Sequence, residues 1–427
     1  MLKRVSKIKN LKGEITIPAD KSISHRAIMF ASIAKGKSII SNFSSGADCW
    51  STLNAFRCLG VKINEIDSKT IEIISTDGNL IKPTASLDMG NSGTTTRLIS
   101  GILAGQDFDS VLIGDASLSK RPMKRIIEPL SLMGAKIESI DGHAPLTIKG
   151  TKLHGINYTS KLSSAQVKSC ILLAGINKRT EGSTTYIEPT ISRNHTELML
   201  KYLDANIEMN GNSTTVSASE LIAKDIEIVG DISSAAFFIV AGLIVEGSNF
   251  VIKNVGINPT RTGILDVVQR MGGEVNIFNQ REVSGEKIAD IKVQYTNNLK
   301  ACEISGEDIP KLIDELPIIA VLASQAEGNT TVRNAEDLRN KEADRITCLA
   351  KELKKIGVNI EELPDGFVVR GKTKLQGDAE LEVYHDHRLA MSFYIAGLIC
   401  EKEIAINGFE WTNISFPEFE QLMEKIK

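Results

Sequence analysis

Ile15 and Ile17 alternate with polar residues, the two-residue period of a strand with one buried face, and Pro18 ends the run. Beyond it Ile23, Ala27, Phe30, Ala31 and Ala34 recur at steps of three and four. That spacing predicts a helix, with Ser22 placed to cap its start and Gly36 to stop it. A β-branched strand follows, then a polar turn and a second helix that closes on Leu59-Gly60-Val61. The same succession returns along the chain. Its openings are Ala19-Asp20-Lys21-Ser22, Gly90-Asn91-Ser92-Gly93, Leu162-Ser163-Ser164-Ala165, Gly230-Asp231-Ile232-Ser233, Ile313-Asp314-Glu315-Leu316 and His385-Asp386-His387-Arg388. Its closings include Met133-Gly134-Ala135, Met271-Gly272-Gly273 and Ile356-Gly357-Val358, while Leu203-Asp204-Ala205 lacks the glycine. A period of roughly 70 residues is longer than the usual solenoid repeat. The pattern predicts an α/β protein of two domains with three units each.

Lys21 and Ser22 fall at a predicted helix start, where unbonded backbone N–H groups favour anions. The other openings place their polar residues alike. Within Lys21 to Arg26, Ser22 and Arg26 stand four apart on one helical face, although a capped helix with a solvated basic face explains this stretch taken alone. Gly93 sits where backbone can approach a ligand, or where the chain merely turns. Lys120-Arg121-Pro122 ends a polar loop before a helix. Ser163 to Lys168 offers hydroxyl and amide groups suited to a polyol, or a polar cap. Asp314 and Glu315 precede an apolar helix, where capping and the helix dipole also account for two acids. The spacing of Lys341 and Arg345 puts them on one helical face beside Glu342, the pattern also of a salt-bridged exposed face. His385-Asp386-His387 looks like part of a metal site but has no distant partner of comparable strength.

Together these stretches point to a substrate carrying more than one phosphate or carboxylate. ATP and dinucleotides are disfavoured: no GxGxxG follows a strand, and the one stretch with GxxxxGKS/T spacing, Gly366 to Thr373, has Phe-Val-Val-Arg between its glycines, a strand-like run rather than a glycine-rich phosphate loop. A hydrolase triad is disfavoured by the lack of a GxSxG elbow. Charge narrows the field further: 50 basic against 53 acidic residues argue against a general binder of nucleic acid or anionic membranes. The six cysteines are scattered, with no CxxC pair, as expected for reduced thiols in the cytoplasm. No apolar h-region follows the lysine-rich start, and the longest apolar run, Ala235 to Val245, falls short of the ~20 residues that span a bilayer. A soluble, cytoplasmic protein is expected.

In order and wording these stretches resemble the EPSP synthase family from end to end. The matching pieces are Asp20 to Arg26, Gly90 to Leu98, Ser119 to Met123, Ser164 to Ser169, Ser192 to Glu197, Ile313 to Glu315, Leu338 to Arg345 and Asp386 to Arg388. The Ser-Ala-Gln-Val-Lys and Ser-Arg-Asn-His-Thr-Glu wordings are similar to the bacterial second class. The resemblance implies an inside-out α/β barrel in each of two domains, each of three βαβαββ units. Residues 1–18 with 231–427 would form one and residues 19–230 the other, with the active site in the cleft between them. Closure of the two halves would exclude water from a reactive intermediate.

The resemblance also implies a reaction: transfer of the enolpyruvyl group of phosphoenolpyruvate to the 5-hydroxyl of shikimate-3-phosphate, by addition and elimination, on the route to aromatic amino acids. Lys21, Ser22, Arg26, Ser164, Ala165, Gln166, Arg193, Asp314 and Lys341 would hold shikimate-3-phosphate. Lys21, Gly93, Arg121, Gln166, Arg345 and Arg388 would hold phosphoenolpyruvate, arginine forks matching its paired oxygens. Asp314 would be the base, with Glu342 and Lys21 candidates for protonating C3. No metal or organic cofactor is implied, no nucleic acid or membrane partner, and the family expectation is a monomer. Gly93 would leave room where the herbicide glyphosate competes.

One departure stands out. The lysine that many members carry just before a Ser/Thr-Phe-Pro phrase is absent from Thr412-Asn413-Ile414-Ser415-Phe416-Pro417. Two rival readings remain. An enolpyruvyl transferase acting on UDP-N-acetylglucosamine typically has a reactive cysteine in the loop that here reads Gly114 to Pro122 without one. A non-catalytic anion-binding protein on the same fold would not need Asp314 and Glu342.

Overall fold

The strand predicted around Ile15 is Lys12–Thr16 in the computed structural model, which describes residues 1–44 and 46–427. Ile15 is buried between exposed Glu14 and Thr16, as alternation requires. The strand runs parallel to Asn249–Gly256, which in turn pairs antiparallel with Glu286–Gln294. Four further sheets repeat that arrangement. Leu87–Asp88 lies parallel to Ser110–Ile113, and His143–Lys149 and Lys136–Ile140 complete the sheet as an antiparallel hairpin. In the same way Ile226–Glu227 joins Lys37–Ser41, Asn157–Thr159 joins Ser183–Ile187, and Glu303–Ile304 joins Gly328–Val332. In the last sheet Glu380–Glu382 is parallel to Ile404–Asn407, and the antiparallel strand is Leu2–Val5 from the start of the chain. The described residues thus form five four-stranded sheets and one of three strands, all of them open.

A helix precedes the second strand of each parallel pair. These are Lys21–Ile33, Gly93–Ala104, Ala165–Gly175, Ile232–Ile244, Leu316–Ser324 and His387–Gly397. The apolar spacing of the first predicts a one-sided helix, but Ile23 through Ser32 are all buried, and Ile232–Ile244 is buried throughout. Neighbouring helices account for this. Ile232–Ile244, Leu316–Ser324 and His387–Gly397 pack on one another, and Gly93–Ala104 packs on both Lys21–Ile33 and Ala165–Gly175. With helices inside and sheets around them, the architecture is an α/β barrel turned inside out. Gly101 permits the closest of these contacts: a Cβ there would stand 2.1 Å from the carbonyl oxygen of Cys170, far inside van der Waals range.

Several local expectations change. Asp20, not Ser22, caps the first helix, its Oδ1 accepting the Ile23 N–H at 2.9 Å, so Ser22 lies in the first turn. The helix stops at Ile33 with Ala34 extended, and Gly36, at φ 114°, sits beyond it in the turn to Lys37–Ser41. The closings of the second helices share one backbone state: Gly60, Gly134, Gly272 and Gly357 have φ of 89°, 93°, 79° and 94°. Asp204 stands at the corresponding place with φ 62°, a left-handed state that aspartate tolerates better than most side chains.

The chain forms two compact units. One comprises Met1–Pro18, Val229–Arg281 and Lys287–Lys427; the other comprises Ala19–Ile228 and Glu282–Glu286. No helix among the described residues is long and apolar enough to cross a membrane; the Ala235–Val245 run is a buried core helix.

Candidate active site

In the Ala19–Ile228 unit, the candidate residues gather at the first turns of its buried helices. Lys21 opens the first helix and its Nζ lies 3.1 Å from Asp48 Oδ2. Ser92 caps the next by accepting the Thr95 N–H, which makes Gly93 the first helical residue. A Cβ on Gly93 would lie 3.0 Å from Arg97 Nη1 and 3.5 Å from Arg121 Nη1, so two guanidinium groups flank its bare Cα. Arg121 is steadied by Asn91 Oδ1 at 2.6 Å. Ser164 caps the third helix and Ala165 begins it. Gln166 is fixed at both ends of its amide, by Arg97 Nη1 at 2.5 Å and by Thr94 Oγ1 at 3.0 Å.

Arg26 is only 2 % exposed. Its nitrogens reach the Ser22 carbonyl at 2.9 Å, Ser169 Oγ at 2.8 Å and Thr196 Oγ1 at 2.8 Å. It therefore ties three candidate segments together from behind. Arg193 is half-buried in the loop after Ser183–Ile187. Behind Ser92, Thr95 Oγ1 bonds Thr52 Oγ1 at 2.7 Å, which in turn bonds His25 Nδ1 at 2.6 Å. Burial holds the His25 imidazole far below its ordinary pKa, at about 3, so it is neutral.

The other unit concentrates charge. Asp314 Oδ1 lies 3.4 Å from Arg345 Nη1 and 3.7 Å from Lys341 Nζ, and Asp314 Oδ2 lies 4.0 Å from Arg388 Nη2. Arg345 also meets Glu342 at 2.6 Å and Asp386 at 2.7 Å. Burial alone would lower the pKa of its guanidinium, but the carboxylates of Asp386, Glu342 and Asp314 outweigh burial and raise it above the ordinary value. Arg345 is a fixed, permanent cation.

The helix predicted to carry Lys341 and Arg345 on one face begins only at Arg345, capped by Asp344. Lys341 and Glu342 stand in the turn before it, following the short helix Glu336–Asn340. They meet Asp314 and Arg345 because the chain bends there. Capping does not explain Asp314 and Glu315 either. Glu315 makes no side-chain cap; it is fully buried and accepts a hydrogen bond from Ser233. Asp386 caps His387–Gly397 while holding Arg345.

The EPSP synthase (3-phosphoshikimate 1-carboxyvinyltransferase) family model matches residues 5–423. The chain belongs to the EPSP synthase family. It is 50 % identical over 422 residues to the 3-phosphoshikimate 1-carboxyvinyltransferase of Citrifermentans bemidjiense, covering 98 % of this chain and 97 % of that one. It is 50 % identical over 428 residues to that of Thermodesulfovibrio yellowstonii, covering 99 % of each. Among solved structures, EPSP synthase from Acinetobacter baumannii superposes with a TM-score of 0.89 at 42 % identity, covering 100 % of this chain and 98 % of that one. The enolpyruvyl transferase NikO of Streptomyces tendae shares the fold, at a TM-score of 0.81 and 18 % identity, covering 100 % of this chain and 97 % of that one.

Within this family member, sequence reasoning gave no role to Arg97, Glu315, Asp386 or Arg261. Arg97 was legible as a cation four residues after Gly93 in a helix start. Nothing in the sequence signals Arg261, whose Nη2 reaches Ser233 Oγ at 2.7 Å and Asp231 Oδ1 at 3.2 Å. Among the described residues no group of three His, Cys, Asp or Glu side chains could hold a metal ion. All six cysteines are free. Burial pushes the Cys49 thiol, beside the Lys21 backbone, up to about 12, which leaves it protonated and unreactive. Where the family often carries a C-terminal lysine, Phe409–Ile414 forms a short helix, and buried Phe416 packs against Phe238 and Phe419.

Proposed function

We infer that this protein transfers the enolpyruvyl group of phosphoenolpyruvate to the 5-hydroxyl of shikimate-3-phosphate and releases phosphate. The reading is supported by family membership over residues 5–423 and by relatives of that name at 50 % identity. The observation that carries it is the carboxylate of Asp314 among Lys341, Arg345 and Arg388. Three cations around one acid suit a site that must accept anionic substrates and still remove a proton.

In this reading Ser22, Arg26, Ser164, the Ala165 backbone, Gln166 and Arg193, with Lys21, Asp314 and Lys341, hold shikimate-3-phosphate. Lys21, Gly93, Arg121, Gln166, Arg345 and Arg388 hold phosphoenolpyruvate. The 5-hydroxyl oxygen attacks C2 of the donor while its proton passes to Asp314. C3 takes a proton from Glu342 or Lys21. The resulting tetrahedral adduct then loses a proton from C3, and the C2–O bond to phosphate breaks, restoring the double bond on the new ether.

The enzyme acts in the cytoplasm, in keeping with six unpaired cysteines, and as a monomer. Sedimentation of the purified protein checks the last point. The decisive assay is phosphate release from phosphoenolpyruvate with shikimate-3-phosphate, beside a parallel reaction with UDP-N-acetylglucosamine. Release with shikimate-3-phosphate alone is expected. Release only with the nucleotide sugar, or silence from folded protein in both, would overturn the reading.

A further inference from the structure

Lys168 is 1 % exposed, an unusual place for a lysine, and it has two carboxylates. Its Nζ lies 2.7 Å from Glu188 Oε1 and 2.7 Å from Glu197 Oε1, both side chains being equally buried. The same Nζ donates to the Ser192 carbonyl at 3.3 Å, while Glu188 Oε1 accepts the Ser192 N–H at 2.9 Å. The ion pair therefore grips the backbone of Ser192 from both sides, next to Arg193.

A second layer lies one residue from the first on each helix, Ser169 after Lys168 and Thr196 before Glu197. Ser169 Oγ bonds Thr196 Oγ1 at 2.6 Å and the Ala165 carbonyl at 2.6 Å, and Arg26 binds both hydroxyls together with the Ser22 carbonyl. The two layers tie together Ser22, the Ser164–Gln166 turn and Arg193. Burying three charges is costly unless their geometry is fixed. Nothing in the chemistry derived above uses Lys168, Glu188 or Glu197.

We propose that Lys168, with Glu188 and Glu197, is a positioning residue that holds the Ser192–Arg193 backbone in register with the first turn of Ala165–Gly175. It thereby preorganises the groups that receive shikimate-3-phosphate. The proposal rests on the assignment of Arg193 and Ser164–Gln166 to that substrate. It predicts a much larger effect on shikimate-3-phosphate than on phosphoenolpyruvate, because Arg193, Ser164 and Ala165 serve the first alone while Gln166 serves both, and fixing a loop before the ligand arrives lowers the ordering cost of binding that ligand.

The test is a double-mutant cycle between the buried triad and Arg193. The triple variant Lys168→Met/Glu188→Gln/Glu197→Gln removes the charges with little change of volume. It should bind shikimate-3-phosphate at least 10-fold more weakly by calorimetry, with the KM for phosphoenolpyruvate changed less than about 2-fold. In an Arg193→Ala background the same triple change should cost little further affinity. A merely structural triad would give additive losses, or equal losses for both substrates, and either result would overturn the proposal. If the triple variant does not fold, Glu188→Gln, which keeps an acceptor for the Ser192 N–H, is run through the same cycle and read by the same criterion. Absence of any turnover by the parent protein with shikimate-3-phosphate would instead indict the functional reading beneath.

Discussion

At the scale of single residues, the most exposed claim concerns Asp314. Its carboxylate is the acid shared by Lys341, Arg345 and Arg388, so an isosteric amide should keep the packing while removing the base and one counter-charge of those cations. Asp314→Asn is expected to lower kcat by about 10²–10⁴-fold, the usual share of a general base, with an unchanged circular dichroism spectrum. Near-parental turnover would sink the assignment. His25 carries a different kind of prediction. Burial lowers its pKa to about 3 in the folded protein, against an ordinary value of 6.5. Above 6.5 neither state binds the proton. Below it the unfolded imidazole is protonated and the folded one is not, so stability falls as pH drops from 6.5 toward about 3, by up to about 1.4 kcal/mol per unit. Urea unfolding at several pH values should show that slope reduced in His25→Asn. An identical slope would mean that His25 accepts the proton while folded.

Many of the charged groups that the structure brings together were legible at this scale as candidates, because arginine, lysine and acid beside small polar residues at helix starts carry a physical meaning even without neighbours. What was not legible is which residue answers which. Glu315 reads as a cap until Ser233, 82 residues away, is found against it. Arg26 reads as a basic surface residue until Ser169 and Thr196 are found on either side. Lys168 looks like any lysine in a polar first turn until its helix is seen to be buried.

At the scale of elements, alternation and three-to-four spacing located strands and helices, but they could not say how many faces of a helix would be covered. Lys21–Ile33 has an apolar stripe completed by Ser24, His25, Arg26 and Ser32, all buried. Polar residues marked a face that is wet in most proteins and packed in this one. Turn chemistry was more transparent. The glycine that closes four of the second helices suits a left-handed backbone, and Gly272 tests this cleanly: at φ 79° it has nothing within 4 Å of an added Cβ. Gly272→Ala therefore costs backbone strain without a clash. An L-residue there loses roughly 1–2 kcal/mol, and the stiffer unfolded chain returns part of it, for a net destabilisation of about 1 kcal/mol in urea titration. An alanine variant as stable as the parent would show that the turn relaxes out of the left-handed state.

At the scale of the whole molecule, the sixfold repeat was visible in the sequence and the family resemblance grouped residues 1–18 with 231–427, but which strands at the start of the chain complete which sheets was not legible. Lys12–Thr16 supplies the parallel neighbour of Asn249–Gly256, and Leu2–Val5 the antiparallel neighbour of Ile404–Asn407. No local pattern announces a partner more than two hundred residues away, because strand propensity carries no address. The consequence can be tested on the Val229–Lys427 segment alone. Without residues 1–18 it loses the burial of Val5, Leu11, Ile15 and Ile17, all members of its core. At roughly 1.5–3 kcal/mol per side chain, that loss of about 6–12 kcal/mol rivals the entire stability of a typical domain. It also leaves the edges of Asn249–Gly256 and Ile404–Asn407 open to intermolecular pairing. The segment should therefore aggregate or fail to unfold cooperatively. The Pro18 carbonyl accepts the Asp231 N–H at 2.9 Å, so a short glycine linker can join Pro18 to Val229 without reorganising either. The fusion of residues 1–18 to 229–427 is expected to be soluble and to unfold in a single cooperative transition. Equal stability with and without the first eighteen residues would show that those strands decorate the sheets rather than complete them.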